Sequence, residues 1–490
     1  MIPRRADGET ARRLLRDFPM LGELRARDWA GFQELVLVVQ ECAAFNRRHA
    51  LPAALEIDRR AREDHDYFAW EVARAGCGHG LYSLIIPRKL GGRGGLATAF
   101  SLAMEELCSA CAGIANIFGA HALGIVPMLT SGAMAHWDSH LGETARAEKR
   151  GEPLIWAYAI TEPSAGTDVE EPHFLARARL SMEARKVDGG YLLNGRKCFI
   201  SNGAVARYIT LTTCADRRRP LETWTLFLID REMPGFSVVR NEVKMGQRAC
   251  PATELLFEDV FVPEGNVLGR EGEGMDLGAL LVLAASRAPV GAIATGIARG
   301  ALERFREWAG ERRKGRRPLD EQRIRMAYAD MHIELQKARW AYMNAALSFD
   351  RSMGGVLFSP LTQAVLSLPE AVRRSAAWRK LLGSRPGKGL VFAIMRMITT
   401  EDAVTSALAM ASLAKVVGGD AAVGVTSRCL ELMGTDPCPQ RPWVEKAFRD
   451  AKLTQIYEGT NQLNRLTFLE AGLEGGLKVG LPEPLRLEVV

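Results

Sequence analysis

The fold turns on Asp188-Gly189-Gly190-Tyr191-Leu192-Leu193-Asn194-Gly195-Arg196-Lys197-Cys198-Phe199-Ile200-Ser201. Asp188, Gly189 and Gly190 close a long extended-type run over 174–187. Residues 191–193 then meet Asn194–Gly195, the strongest short-range hairpin signal, and 197–201 is expected to return. Further runs at 208–213, 223–229 and 253–262 add short strands with no helix between them, which predicts a compact β-barrel or sandwich. On either side the texture is helical. Trp29–Phe45 and Ala97–Cys108 carry helical apolar patterns before the strands, and helical patterns resume after Gly272 and Gly274. The fold class expected is α+β, with four parts: an N-terminal helical domain (1–153), a central β-domain (154–272), a C-terminal helical domain (273–475, with an insertion at 352–398) and a tail (476–490).

Composition sets the frame. The chain has 490 residues, 47% hydrophobic and 25% charged, enough apolar content for several domain cores. With 64 basic and 58 acidic residues the net charge is +6, too small for this length to point to a nucleic-acid partner. The opening MIPRRADGETARRLLRDF has arginines but no apolar stretch behind them, and it contains acids, so neither a secretory nor a mitochondrial leader is expected. The most apolar stretch, 275–301, is interrupted by Asp276, Arg287 and Arg299 and reads as a buried helix. Nine scattered cysteines favour a reducing compartment, and a cytoplasmic location is expected.

Several features lead to bland readings. Neither a G-x-G-x-x-G after a strand nor a G-x-x-x-x-G-K-[ST] is present. His136 and His140 lack the H-E-x-x-H context of a zinc site and are expected on a helix surface; no metal is expected. Cys108-x-x-Cys111 has no second pair and reads as structural thiols. Gly296-x-x-x-Gly300 is expected to let two helices approach closely. Within the insertion, 369–382 is basic and amphipathic. It fits a partner or membrane-surface helix, or an insertion packed on its own chain or a neighbour, and the packed alternative is favoured.

Two stretches stand out. Tyr158-Ala-Ile-Thr-Glu-Pro-Ser-Ala-Gly-Thr-Asp168 combines hydroxyls and small residues that let backbone approach a planar ligand. Asp450-Ala-Lys-Leu-Thr-Gln-Ile-Tyr-Glu-Gly-Thr-Asn-Gln462 places Glu458 between an aromatic residue and Gly459, between two expected helices. A carboxylate desolvated there would have a raised pKa, as a general base near neutrality requires. Taken alone, each stretch also reads as an ordinary loop, with Glu458 a helix N-terminal acid.

With EELCSACAG at 105–113, NGRKCFISNG at 194–203 and FEDVFVPEGNVLG at 257–269, these stretches resemble the acyl-CoA dehydrogenases. The resemblance runs from about 105 to 466 apart from the insertion. It implies an N-terminal helical domain, a central β-domain and a C-terminal four-helix domain. It implies FAD as cofactor and Glu458 as the catalytic base that removes the α-proton of an acyl-CoA, with hydride passing to the flavin to give a trans-2-enoyl-CoA. It further implies that the thioester oxygen is bound by the backbone N–H of the base, an oxyanion-type stabilisation. Tyr158, Ile160, Thr161, Phe199 and Ser201 match flavin-lining positions. Thr167 matches a position touching flavin and substrate. Thr460 and Gln462 match FAD-holding positions, Arg287 one near the CoA arm, and Gly459 a substrate-contacting position. A second signature of the family puts the base just before that arginine; here the position is Ser286, which cannot serve.

Two stretches depart from the family. Arg312-Arg313-Lys314-Gly315-Arg316 replaces Arg-x-Gln-Phe-Gly, which reaches a neighbouring subunit's FAD pyrophosphate; Arg312 is expected to keep that role. Glu431-Leu432-Met433-Gly434-Thr435-Asp436-Pro437 replaces Gln-x-x-Gly-Gly-x-Gly and puts a carboxylate near the adenosine. Partners implied are an acyl-CoA, an electron-transfer flavoprotein and further copies of the chain in a homodimer or homotetramer. The alternatives are an acyl-CoA oxidase using O2 and a non-catalytic member binding nucleic acid, a partner or a membrane through its basic stretches.

Overall fold

The computed structural model describes residues 6–312, 315–398 and 400–473. Arg313, Lys314 and the tail 476–490 lie outside the described residues. The helix–strand–helix order holds. Helices before the strands include Trp29–Phe45 (α1), Ala97–Cys108 (α2) and Ala112–Thr130 (α3). Eight strands follow: Trp156–Ala159 (β1), Glu183–Val187 (β2), Gly190–Ser201 (β3), Tyr208–Cys214 (β4), Trp224–Asp230 (β5), Phe236–Asn241 (β6), Ala252–Pro263 (β7) and Val267–Leu268 (β8). They form two four-stranded sheets, β1-β4-β5-β8 and β2-β3-β7-β6. After them come Leu281–Gly310 (α4), Gln322–Phe358 (α5), Glu401–Met433 (α6), Arg441–Leu453 (α7) and Asn461–Phe468 (α8). α4 and α6 lie side by side, with α5 and α7 packed against both.

Two strand expectations need correction. The hairpin turns at Asp188–Gly189, where β2 and β3 pair with Val187 opposite Gly190, and Asn194–Gly195 sits inside the twelve-residue β3. There the pair forms a bulge against β7, and the register shifts between Leu193 and Gly195. Gly195 has φ +131°, and a Cβ on it would stand 2.7 Å from the Met182 Cα, so this position needs glycine for a bulge rather than for a turn. The run 174–187 is also not one strand. Pro172–Leu175 is a helical turn, and only Glu183–Val187 is extended.

The close helix approach is present. A Cβ on Gly296 would stand 2.5 Å from the Glu105 carbonyl oxygen, and one on Gly300 2.2 Å from that of Ser109, so the end of α2 lies directly on α4. Gly300→Ala is expected to force the two apart, at a cost of about 1–3 kcal/mol typical of overpacking, read as a lower urea midpoint with the slope unchanged. Among the described residues three helices are long and apolar enough to cross a membrane, but 78%, 83% and 56% of their most apolar windows are buried inside this fold. The stretch 275–301 falls in the most buried of the three, within the core between domains.

The insertion packs on its own chain. Arg373, assigned to the basic face, points inward and forms a buried ion pair with Asp138. Its Nη1 also donates to the Leu368 carbonyl at 2.7 Å. Lys388 donates to the Val267 carbonyl at 2.7 Å, and Leu366 and Val391 join a core cluster with Ile86 and Trp137. His136 and His140, expected on a helix surface, are partly buried. His136 meets the Gly265 carbonyl at 2.8 Å, and His140 packs on Tyr208 and Trp156. Cys108 and Cys111 are buried free thiols.

Candidate active site

One wall of the site is the loop after β1. Glu162 lies fully buried beneath it, and its Oε2 accepts the N–H groups of Ser181 at 2.6 Å and Met182 at 3.0 Å. Its Oε1 faces the buried Lys197 ammonium at 3.1 Å, and Lys197 also donates to the Ile160 carbonyl at 2.7 Å. A buried pair offsets its desolvation only when its remaining donors and acceptors are used, as here, and the pair ties the loop to β3. Two residues beyond Lys197, Phe199 has φ +58° and is 61% exposed, so its ring stands on a cavity wall instead of in the core. A bulky residue held left-handed stores about 1–3 kcal/mol, which the surrounding structure must offset.

The opposite side is the turn between α7 and α8. Glu458 has φ +57° and Gly459 φ +75°. The carbonyls of this turn are held from behind. Arg287 Nε donates to the Glu458 carbonyl at 3.2 Å, Asn464 Nδ2 to the Gly459 carbonyl at 2.9 Å, and Lys415 to the Gly459 carbonyl as well. Thr460 caps α8, its hydroxyl accepting from the Leu463 N–H. None of the hydrogen bonds among the described residues uses the Glu458 N–H. Ser286 Oγ donates to Glu458 Oε2 at 2.6 Å. Burial raises the Glu458 pKa above the usual carboxylate range, while the Ser286 hydrogen bond, Arg287 and Lys415 pull against it.

Between the two sides lies a cavity of about 780 Å³. Tyr158, Ile160, Thr161, Thr167, Phe199, Ser201, Glu458 and Thr460 all line it. Four expected site residues do not. Arg287 is fully buried behind the wall, its guanidinium on Ser412 at 2.9 Å and near Glu170 at 3.5 Å, so it orients the turn and is not exposed to a CoA arm. Gly459 is buried between those groups. Gln462 is exposed, in an adjoining hollow with Asp420 and Arg465 that shares Ile456 and Thr460 with the cavity. Arg312 is exposed outside the cavity. Ser286, read from the sequence only as a position unable to act as base, orients Glu458 through its hydroxyl, and Glu170, Lys415 and Asn464, which surround the turn, were missed. The adjacent acids Glu170-Glu171 and a lysine inside the apolar run of α6 were the signals to follow.

The wall fits a planar cofactor. The Phe199 ring presents an unburied apolar face, and opposite the loop's small residues the space at Gly166 is open, with only Thr161 Cγ2 within 4 Å of a Cβ built there, at 3.9 Å. The acyl-CoA dehydrogenase N-terminal domain matches residues 33–148, the middle domain 157–260 and the C-terminal domain 272–357 and 388–473, leaving the centre of the insertion unmatched. The chain is 31% identical to the cyclohex-1-ene-1-carbonyl-CoA dehydrogenase of Syntrophus aciditrophicus, over 86% of this chain and 85% of that one. It is 30% identical to the short-chain specific acyl-CoA dehydrogenase of Clostridium acetobutylicum, over 89% and 96%. Among solved structures, butyryl-CoA dehydrogenase from Megasphaera elsdenii superposes with a TM-score of 0.69 at 25% identity, covering 89% of this chain and 97% of that one. A chain in the structure of the electron transferring flavoprotein of Acidaminococcus fermentans gives 0.71 at 25%, covering 90% and 98%. Three consecutive domain matches and close relatives along nearly the whole length therefore show that this protein belongs to the acyl-CoA dehydrogenases, FAD-dependent oxidoreductases.

Proposed function

We propose that this enzyme converts a saturated acyl-CoA to the trans-2-enoyl-CoA, with Glu458 taking the α-proton. The observation that carries this is the Glu458 carboxylate on the cavity wall, held by the Ser286 hydroxyl at 2.6 Å and desolvated. Its raised pKa brings its basicity closer to that of the acid it must deprotonate. As the α-proton leaves, negative charge builds on the thioester oxygen, and the uncommitted Glu458 N–H is the donor assigned to it. Tyr158, Ile160, Thr161, Phe199 and Ser201 would hold the isoalloxazine, and Thr167 would stand between flavin and substrate. Bound FAD supplies the acceptor for the β-hydrogen as hydride.

The cavity lining includes the apolar Ile85, Leu96, Phe100, Leu123, Val126 and Leu129 and no arginine or histidine, and the lining Lys244 already donates to the Gln247 and Cys250 carbonyls at 2.9 and 2.5 Å. A monocarboxylic, apolar acyl group fits such a wall. In an anaerobic titration, saturated monocarboxylyl-CoAs are expected to bleach the oxidised flavin and glutaryl-CoA to leave it yellow. Bleaching by glutaryl-CoA alone would refute the assignment. We further propose an electron-transfer flavoprotein as acceptor, in line with the electron transferring flavoprotein structure among its neighbours, and a homodimer or homotetramer in the cytoplasm in which the exposed Arg312 reaches a second subunit's FAD. The oxidase alternative predicts peroxide without added acceptor.

A further inference from the structure

Glu170 is a second carboxyl on the wall of the same cavity, and the mechanism above does not use it. It is buried. A Cβ on Gly459, the residue after Glu458, would stand 2.7 Å from Glu170 Oε2 and 3.1 Å from Arg287 Nη2, so the glycine is what admits the Glu170 carboxyl against the turn that carries the base. Arg287 links the two, its Nη2 3.5 Å from Glu170 Oε2 and its Nε 3.2 Å from the Glu458 carbonyl oxygen. The groups facing Glu170 are Arg287 from α4, Glu458 from the turn, Lys415 from α6 and the neighbouring Glu171, whose Oε1 accepts from Thr467 of α8 at 2.6 Å.

Two carboxyls in one desolvated site do not both ionise readily; one keeps the proton, and their environments decide which. Glu458 has a hydroxyl donor at 2.6 Å, whereas the nearest cation on Glu170 is the Arg287 guanidinium at 3.5 Å. We propose that Glu170 is a proton-holding partner of Glu458, protonated while the base is ionised and releasing its proton when the base receives one. The inference rests on the proposed dehydrogenation. The substrate α-C–H bond breaks and an O–H bond forms on Glu458. The Glu170 O–H bond then breaks, its proton passes to solvent, and the pair carries one negative charge before and after. The electron pair of the β-C–H bond goes with the hydride to the flavin, as in the reaction above. Glu170 acts through Glu458 and does not touch the reacting carbons. Burial pushes Glu170 to about 7, with Arg287 opposing and the Glu458 charge adding to the rise.

The test has two arms. In infrared difference spectra of the holoenzyme, the protonated-carboxyl C=O band is expected to disappear as the pH rises through about 7. Glu170→Gln should lack that titrating band, and Glu458→Gln should keep it but shift its midpoint to lower pH. A wild-type enzyme without the band, or a band unchanged in Glu170→Gln, overturns the proposal. The second arm mixes butyryl-CoA, octanoyl-CoA and cyclohexanecarbonyl-CoA with the anaerobic enzyme at neutral pH and a pH-indicator dye. Proton appearance alongside bleaching in the wild type, and its loss in a Glu170→Gln enzyme that still bleaches, is the expected result. Bleaching with equal proton release from both enzymes overturns the relay alone. No bleaching by any of the three refutes the dehydrogenase reading and the relay with it.

Discussion

Glu458→Gln is expected to slow anaerobic bleaching of the flavin by an acyl-CoA by about 10²–10⁴-fold, the usual contribution of a general base. The amide keeps the shape of the side chain and can still accept from the Ser286 hydroxyl, so the turn and the yellow colour should persist. The pH dependence follows in sign. A carboxyl with a raised pKa is protonated, and useless as a base, on the acid side of that value. The wild-type rate should therefore fall as the pH is lowered through that raised value, and the residual rate of the Gln variant should lack that limb. Rapid-mixing absorbance measurements across pH check both expectations.

Arg287→Met should have the largest effect on stability. The guanidinium is completely buried and serves the Glu458 carbonyl, the Ser412 hydroxyl and the Glu170–Glu171 pair together. Methionine fills much of the volume but leaves those acceptors without their donor and Glu171 without its cation. Breaking one side of a buried ionic cluster costs about 3–5 kcal/mol. Arg287→Lys should recover only part of this, because an ammonium restores the charge and not the fork of donors. Denaturant unfolding of the two variants beside the parent measures the difference. Equal midpoints for Met and wild type would mean that the cluster contributes nothing net to the fold.

How far the sequence reached depended on range. The helix Ala97–Cys108 ends where its apolar periodicity ends, because local pattern and packing agree there, whereas the helix from Trp29 runs on past Phe45 through a π-turn at Asn46–Ala50 into Leu51–Glu63. Asn194–Gly195 misled because two residues that make a turn in isolation also make a bulge. The choice was settled by strand β7 more than fifty residues away, where Asn194 bonds Asp259. Glu458 was legible from its flanking residues and from the family motif. Its partner Ser286 is 172 residues distant, and Lys415 is 44 from the carbonyl it holds; no local pattern carries such contacts. Arg287 was read as a ligand contact because a motif gives a position and not a direction, and its side chain turns inward. The favoured reading of 369–382, an insertion packed on its own chain or a neighbour, holds, and only Arg373 leaves the exposed basic face. Periodicity puts Arg373 with Arg374 and Lys380, but Asp138 draws it into the interior.

If Glu458 moves the substrate α-proton, that hydrogen exchanges with solvent through the Glu458 carboxyl. Each enzyme, wild type and Glu458→Gln, is incubated in D2O with the acyl-CoA that bleaches the wild-type flavin, and the recovered thioester is analysed by mass spectrometry. Deuterium is expected at the α-carbon with the wild type and none above background with the Gln variant. Incorporation by Glu458→Gln at the wild-type rate would contradict that role of Glu458 and assign the base elsewhere.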